Sequence, residues 1–147
     1  MSEIRLYTIG FTQKSAENFF TALRKAGVRR VMDIRLNNVS QLAGFAKRDD
    51  LAFFLKAVSG IEYLHRPDLA PTQDLLERYR KKSIGWGEYE REFLALIRAR
   101  TIEKSVDRST LDRACLLCSE PGPERCHRRL VSEYLRDRFG NITLCHL

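Results

Sequence analysis

The sequence predicts an α/β fold, a single domain over residues 1–147 with a mostly parallel sheet flanked by helices on both faces in a Rossmann-like three-layer arrangement. Three observations carry this. Short apolar runs alternate with amphipathic helical stretches along the whole chain. Residues 4–35 read strand, helix, strand over about thirty residues, the βαβ signature, whose crossover is right-handed. The run "RACLLC" (113–118) is apolar almost throughout, as in a parallel strand buried on both faces.

Taken in order, "IRLYTIG" is a short buried strand ending in Gly10. "SAENFFTALRKAG" is an amphipathic helix: Ser15 caps it, Phe19, Phe20 and Leu23 form its apolar stripe, and Gly27 stops it. "VRRVMDIR" is a second strand, and residues 36–48 read as a long loop. "DDLAFFLKAVSG" is a helix capped by Asp49 or Asp50 and ended by Gly60, and "IEYLH" is a third strand. Two helices follow over 72–82 and 86–104, the first ending in the basic cluster "RYRKK". After the 113–118 strand comes a helix over 123–138, with Pro123 at its first position and Gly140-Asn141 at its end. "ITLCH" is the last strand.

The composition is that of a folded soluble domain, 44% hydrophobic and 31% charged. No apolar run approaches the length of a membrane span, so no membrane partner is expected. "MSEIRLYTIG" shows no secretory signal, which places the chain in the cytoplasm by default. The formal net charge is +7, and arginine far outnumbers lysine. Arginine suits bidentate binding of carboxylate and phosphate, so an anionic partner, nucleic acid included, is expected. The chain has four cysteines, Cys115, Cys118, Cys126 and Cys145. In this setting free thiols are expected rather than disulfides.

Ligands of such sheets bind at the carboxyl ends of the strands. Those ends carry Gly10, Asp33 and Arg35, Tyr63 and His65, Cys118 and Glu120, and His146. Cys115 and Cys118 have C-x-x-C spacing, but inside a strand they point to opposite faces and do not share an ion or a disulfide. A phosphate cradle from Cys118 to Arg125 is disfavoured, because Pro121 and Pro123 remove backbone donors and Glu120 and Glu124 repel an anion. What remains is a helix start carrying Cys126, His127 and Arg128, with Cys126 and His127 toward the sheet and Arg125 and Arg129 toward solvent. The helix dipole and nearby guanidinium groups favour a Cys126 thiolate. A structural network in which His127 donates to a strand carbonyl and Glu120 braces Arg35 or Arg128 is the competing reading. Metal ligation is weighed for Cys118, Glu120, Cys126, His127 and His146. Adjacent residues of one helical turn converge poorly on one ion, so no metal is assigned.

"YTIGFT", "GVRRVMDIR", "GIEYLH" and "LLCSEPGPERCHR", with a chain end of an apolar residue two before His146, resemble the domain of unknown function 488 family over nearly the whole chain. "LNNVSQLAGFAKRDDL" resembles one branch of it. The chain departs from the family pattern at Phe11-Thr12, where histidine and serine are common, and at Asn37-Asn38, where a proline is common. The resemblance implies an α/β fold and names no reaction or cofactor. It also implies that Asp33, Arg35, Cys118, Glu120, Cys126, His127, Arg128 and His146 belong to one pocket.

Two readings follow. In the first, an enzyme-like pocket at the strand ends takes a small anionic ligand, a nucleotide or phosphate ester among the candidates. Cys126 or Cys118 is a thiolate nucleophile or redox thiol, His127 or His146 the acid/base, Asp33 and Glu120 orient the arginines or act as a base, and Arg35 and Arg128 hold the anion. Gly10, Thr12, Tyr63 and His65 complete the ligand-binding set. In the second, a nucleic-acid-binding or regulatory module uses the basic, aromatic-containing helices 72–104, through "RYRKK", Trp86, Tyr89, Arg91, Arg98 and Arg100. The first reading carries further expectations. Strands 4–9, 30–35 and 113–118 are parallel neighbours with Asp33 and Cys118 at one edge, and His146 packs inward and hydrogen-bonds. Alkylation reaches Cys126 first and Cys118 second, while Cys115 and Cys145 stay protected.

Overall fold

The computed structural model describes residues 3–37, 44–119 and 125–147. Five strands form one parallel sheet: β1 (Ile4–Gly10), β2 (Arg30–Asp33), β3 (Glu62–His65), β4 (Ala114–Cys118) and β5 (Ile142–His146), in the order β3-β2-β4-β1-β5. The helices are α1 (Ala16–Ala26), α2 (Arg48–Phe54), α3 (Gln73–Arg80), α4 (Trp86–Ala99), α5 (Ile102–Ser105), α6 (Arg108–Leu111) and α7 (His127–Phe139). From β1 to β3 the chain moves toward one edge of the sheet, then reverses to β4 and β5. Since parallel crossovers keep one hand, reversal of direction puts the later helices on the opposite face. Two cores result. Phe19 and Leu23 of α1 and Leu51 of α2 pack on Ile9, Val31, Cys115 and Leu117. Phe93 and Ile97 of α4 and Val131 and Leu135 of α7 pack on Leu6, Met32 and Leu116. The period-two alternation along β4 thus sends Cys115 and Leu117 to one face and Leu116 to the other.

Local chemistry sets the element ends. The Ser15 hydroxyl accepts from the Asn18 amide at 3.1 Å, and Gly27 ends α1 at φ 75°, where a side chain is disfavoured. Thr72 caps α3 through the Leu75 amide at 3.1 Å. Four sequence expectations are corrected. Helix α2 starts at Arg48 on Lys47, without a side-chain cap from Asp49 or Asp50, and runs on as a π-helical turn to Ser59 before Gly60. The expected 86–104 helix breaks at Thr101, which adopts φ 48°, and α5 restarts beyond it. The four-residue α6 has no apolar stripe long enough to announce it. Helix α7 begins at His127, and Cys126 precedes it with extended φ −138° and ψ 140°. Pro123, Glu120 and residues 38–43 of the expected 36–48 loop fall outside the described residues, and Gly44–Ala46 of that loop forms a 3-10 turn.

The expected neighbours hold. β4 lies between β2 and β1, and the registers Gly10↔Cys118 and Asp33↔Leu117 bring three strand ends to one sheet edge. Among the described residues no helix is long and apolar enough to cross a membrane.

Candidate functional site

The β2 exit is the rigid floor of the site. Asp33 is 0% exposed and Arg35 3%. Arg35 Nε donates to Asp33 Oδ1 and Nη2 to Oδ2, both at 2.7 Å, and the Tyr63 hydroxyl donates to Oδ2 at 2.6 Å. Burial alone would raise the Asp33 carboxyl. The Arg35 hydrogen bonds and charge and the Tyr63 hydroxyl outweigh it and hold the group below the ordinary carboxylate range. The Arg35 guanidinium also lies 5.3 Å from the Phe11 ring centroid. Two histidines grip the backbone here: His65 Nε2 donates to the Arg35 carbonyl at 3.1 Å and His127 Nε2 to the Ile34 carbonyl at 2.8 Å. Because a carbonyl only accepts, Nε2 of each ring carries a proton, and in the uncharged His127 ring the lone pair is on Nδ1. The Arg35 Nη1 atom is buried without a hydrogen-bond partner among the described residues.

The β4 exit meets the start of α7 over this floor. Cys118 and Cys126 are joined as a disulfide, S–S 2.07 Å, eight residues apart in sequence. The expectation of free thiols at these two positions is therefore corrected. The extended backbone of Cys126, which precedes α7, turns its side chain toward Cys118. Arg128 is 0% exposed; its Nη1 donates to Cys118 Sγ and its Nε to Thr8 Oγ1, both at 3.3 Å. The half-buried His127 packs edge-on against Phe93, centroids 5.5 Å apart. Burial drives its pKa down to about 4, and the nearby Arg128 charge adds to this against the opposing Ile34 hydrogen bond. At neutral pH the ring is uncharged.

The third wall comes from α3 and α4. Tyr79 and Tyr89 lie 4.8 Å apart, Trp86 stacks on Tyr89 at 5.3 Å and 24°, and Tyr89 stacks on Phe93 at 6.2 Å. This aromatic ladder runs from the rim to His127. Between it and the strand ends lies a cavity of about 140 Å³. Its lining takes Arg35, Cys118, Cys126 and His127 from the strand ends and α7, and Tyr79, Trp86 and Tyr89 from the aromatic wall. The exposed Arg80 and Arg125 stand at its rim. Among the described lining residues there is no carboxylate. The arrangement sets guanidinium groups and aromatic faces beside a disulfide and an uncharged imidazole.

The structure thus gathers four of the expected site residues around one cavity and sets Asp33, Arg128, Tyr63 and His65 beneath or beside it as supports. Thr12 is tied to the β4 exit, its amide donating to the Ser119 carbonyl at 3.2 Å, and Gly10 pairs with Cys118 in register. His146 is exposed, not packed inward, although its Nδ1 lies 2.5 Å from Thr8 Oγ1 and the Leu147 amide donates to the Thr8 carbonyl at 2.7 Å. Cys145 is likewise an exposed free thiol, contrary to the expected protection, because β5 is an edge strand. Cys115 is buried, and burial pushes its thiol pKa far up. From sequence, Tyr79 and Arg80 within "RYRKK", Trp86 and Tyr89 belonged to another surface and Arg125 to solvent; none of the five was expected at this cavity. Their basic and aromatic composition was the available signal.

A parallel α/β domain whose strand ends carry an arginine-lined, aromatic-walled cavity is the class defined by these features. The chain belongs to the family described as Domain of unknown function DUF488, whose model matches residues 15–135. No curated protein and no solved structure matches it.

Proposed function

We propose that the cavity is an enzyme-like site for a small anionic ligand with a planar ring, a nucleotide or other phosphate-bearing ring compound fitting this description. The observation that carries the reading is Arg35: a buried guanidinium, fixed by Asp33, lining the cavity, with Nη1 lacking an acceptor among the described residues. A buried donor without a partner costs about 1–3 kcal/mol, and an anion in the cavity removes that cost. Tyr79, Trp86 and Tyr89 offer faces for the ring, and Arg80 and Arg125 add positive charge at the rim. A cavity of roughly 150 Å³ accepts one benzene, so this one encloses a single ring or phosphate and leaves the rest of a nucleotide at the rim. His127, uncharged with its lone pair on Nδ1, suits the acid/base role. The nucleophile role expected of Cys126 requires the disulfide to open.

Nucleic-acid binding along 72–104 has less support. Arg78 is engaged by Asp74 at 3.0 Å and Glu92 at 2.8 Å, Arg91 by Glu88 at 3.4 Å, and Tyr89 is buried.

The test is thermal unfolding with mononucleotides, inorganic phosphate, an aromatic carboxylate and an uncharged nucleoside. The ring-bearing anions raise the Tm most, the nucleoside does not, and Arg35→Met and Arg125→Ala each reduce the shift. Equal stabilisation by the nucleoside, or an undiminished shift in both variants, overturns the proposal.

A further inference from the structure

The Cys118, Cys126 and His127 side chains each present one atom, two sulfurs and a ring nitrogen, all within 4.8 Å of one another. All three residues line the cavity. We propose that, when the Cys118–Cys126 bond is reduced, these three side chains form a metal site of the zinc type, with its fourth position open to the cavity.

The ligand set is two thiolates and an imidazole, a combination that Zn²⁺ binds at about 2.3 Å from sulfur and about 2.0–2.1 Å from nitrogen. In a tetrahedron with those bond lengths the two sulfurs stand roughly 3.8 Å apart. The Cα atoms of Cys118 and Cys126 are 7.5 Å apart, so the sulfurs can separate to that spacing with no approach of the two backbones. The sequence argument against a site was that Cys126 and His127 share a helical turn. Cys126 instead has extended backbone and stands outside α7, so its side chain is not bound to the helical spacing from His127.

The surroundings match what metal sites need beyond their ligands. The His127 Nε2–H···O bond to the Ile34 carbonyl leaves Nδ1 to bind and fixes the ring plane, the usual arrangement around a ligating histidine. Arg128 Nη1, 3.3 Å from Cys118 Sγ, is a donor to a thiolate. Three protein ligands with an open fourth position is the pattern of catalytic rather than structural zinc. The site is argued from its own ligands and stands whether or not the cavity takes a ring-bearing anion.

The chemistry balances with a phosphine reductant. Phosphine and water reduce the S–S bond to two thiols and leave phosphine oxide. The ion then displaces both thiol protons to solvent.

Co²⁺ is the probe. The full-length protein, reduced with a phosphine under exclusion of oxygen and freed of metal, is titrated with Co²⁺ and then Zn²⁺. The expected result is saturable binding of a single equivalent, with thiolate-to-cobalt charge-transfer absorption and tetrahedral d–d bands that Zn²⁺ bleaches. The oxidised protein gives no such bands. Cys118→Ser or Cys126→Ser loses them, His127→Gln shifts and weakens them, and Cys145→Ser leaves them intact. Absence of the bands in the reduced wild type overturns the proposal. So does their loss in Cys145→Ser, or their persistence in Cys126→Ser. The oxidised wild type is the folded control that separates loss of ligands from loss of structure. Failure here leaves anion stabilisation of the oxidised protein unaffected, so the two proposals fail separately.

Discussion

Replacing Asp33 by asparagine tests whether the β2 exit is a buried ionic anchor. The carboxylate is 0% exposed and takes 2.7 Å bonds from Arg35 Nε and Nη2 and a 2.6 Å bond from Tyr63. Asparagine keeps the shape, but it turns one acceptor into a donor that faces a donor and removes the charge opposite Arg35. An uncompensated buried guanidinium costs about 3–5 kcal/mol. With a urea slope of about 2 kcal/mol/M, the midpoint falls by roughly 2 M while the slope is unchanged. Far-UV circular dichroism reads the transition without relying on Trp86, which sits in the cavity wall. A second arm separates the lost charge from lost packing: Asp33→Asn combined with Arg35→Met regains most of the loss, because it removes the buried guanidinium left without a counter-charge. A single-variant loss below about 1 kcal/mol, or a double variant no more stable than the single, refutes the reasoning.

Alkylation of the folded, oxidised protein labels Cys145 and spares Cys115 until unfolding, and Cys118 and Cys126 join only after reduction; early labelling of Cys115 counts against its burial. Because the His127 pKa is lowered to about 4 in the fold, the unfolded chain binds the extra proton between about pH 6.5 and 4. Stability from this group is therefore full above about pH 6.5 and is lost as pH falls through about 4, by at most about 3 kcal/mol. The measurement is the pH dependence of unfolding in wild type against His127→Gln, and identical curves refute it. Thr8→Val removes the hydroxyl that faces both His146 at 2.5 Å and Arg128 at 3.3 Å, and costs about 1–3 kcal/mol by chemical denaturation.

The strands were legible because buried parallel strands are short apolar runs, and the sheet order put Asp33 and Cys118 at the same edge as expected. What the sequence hid depends on which elements lie next to one another. "ITLCH" reads as a strand just as "ACLLC" does, yet β5 is an edge and β4 is covered on both faces, so Cys145 is exposed and Cys115 is not. The helix at 86–99 shows its core stripe through Tyr89 and Phe93, but no periodicity reveals that its first turn overhangs the strand ends. That overhang turns Trp86 into a cavity wall. The Cys118–Cys126 pairing was out of reach for a similar reason, since a proline-rich connection has no period from which its return path can be read.

The basic, aromatic helices and the cysteine-bearing strand end, read from sequence as features of competing functions, face one cavity. The floor explains how they work together. Tyr63 and His65 from β3 and His127 from α7 all end on Asp33, Ile34 or Arg35. A guanidinium held by two 2.7 Å bonds to a buried carboxylate has little freedom left, so the direction of its remaining donor is set by the sheet and not by a loop. The same histidine that holds this floor stands beside the two sulfurs. Opening or closing the Cys118–Cys126 bond therefore acts next to a side chain that also holds the backbone beside Arg35. If the cavity takes an anion as proposed, redox state and affinity are linked through His127: reduction then alters the affinity for the anion, and by reciprocity the bound anion alters the ease of reduction.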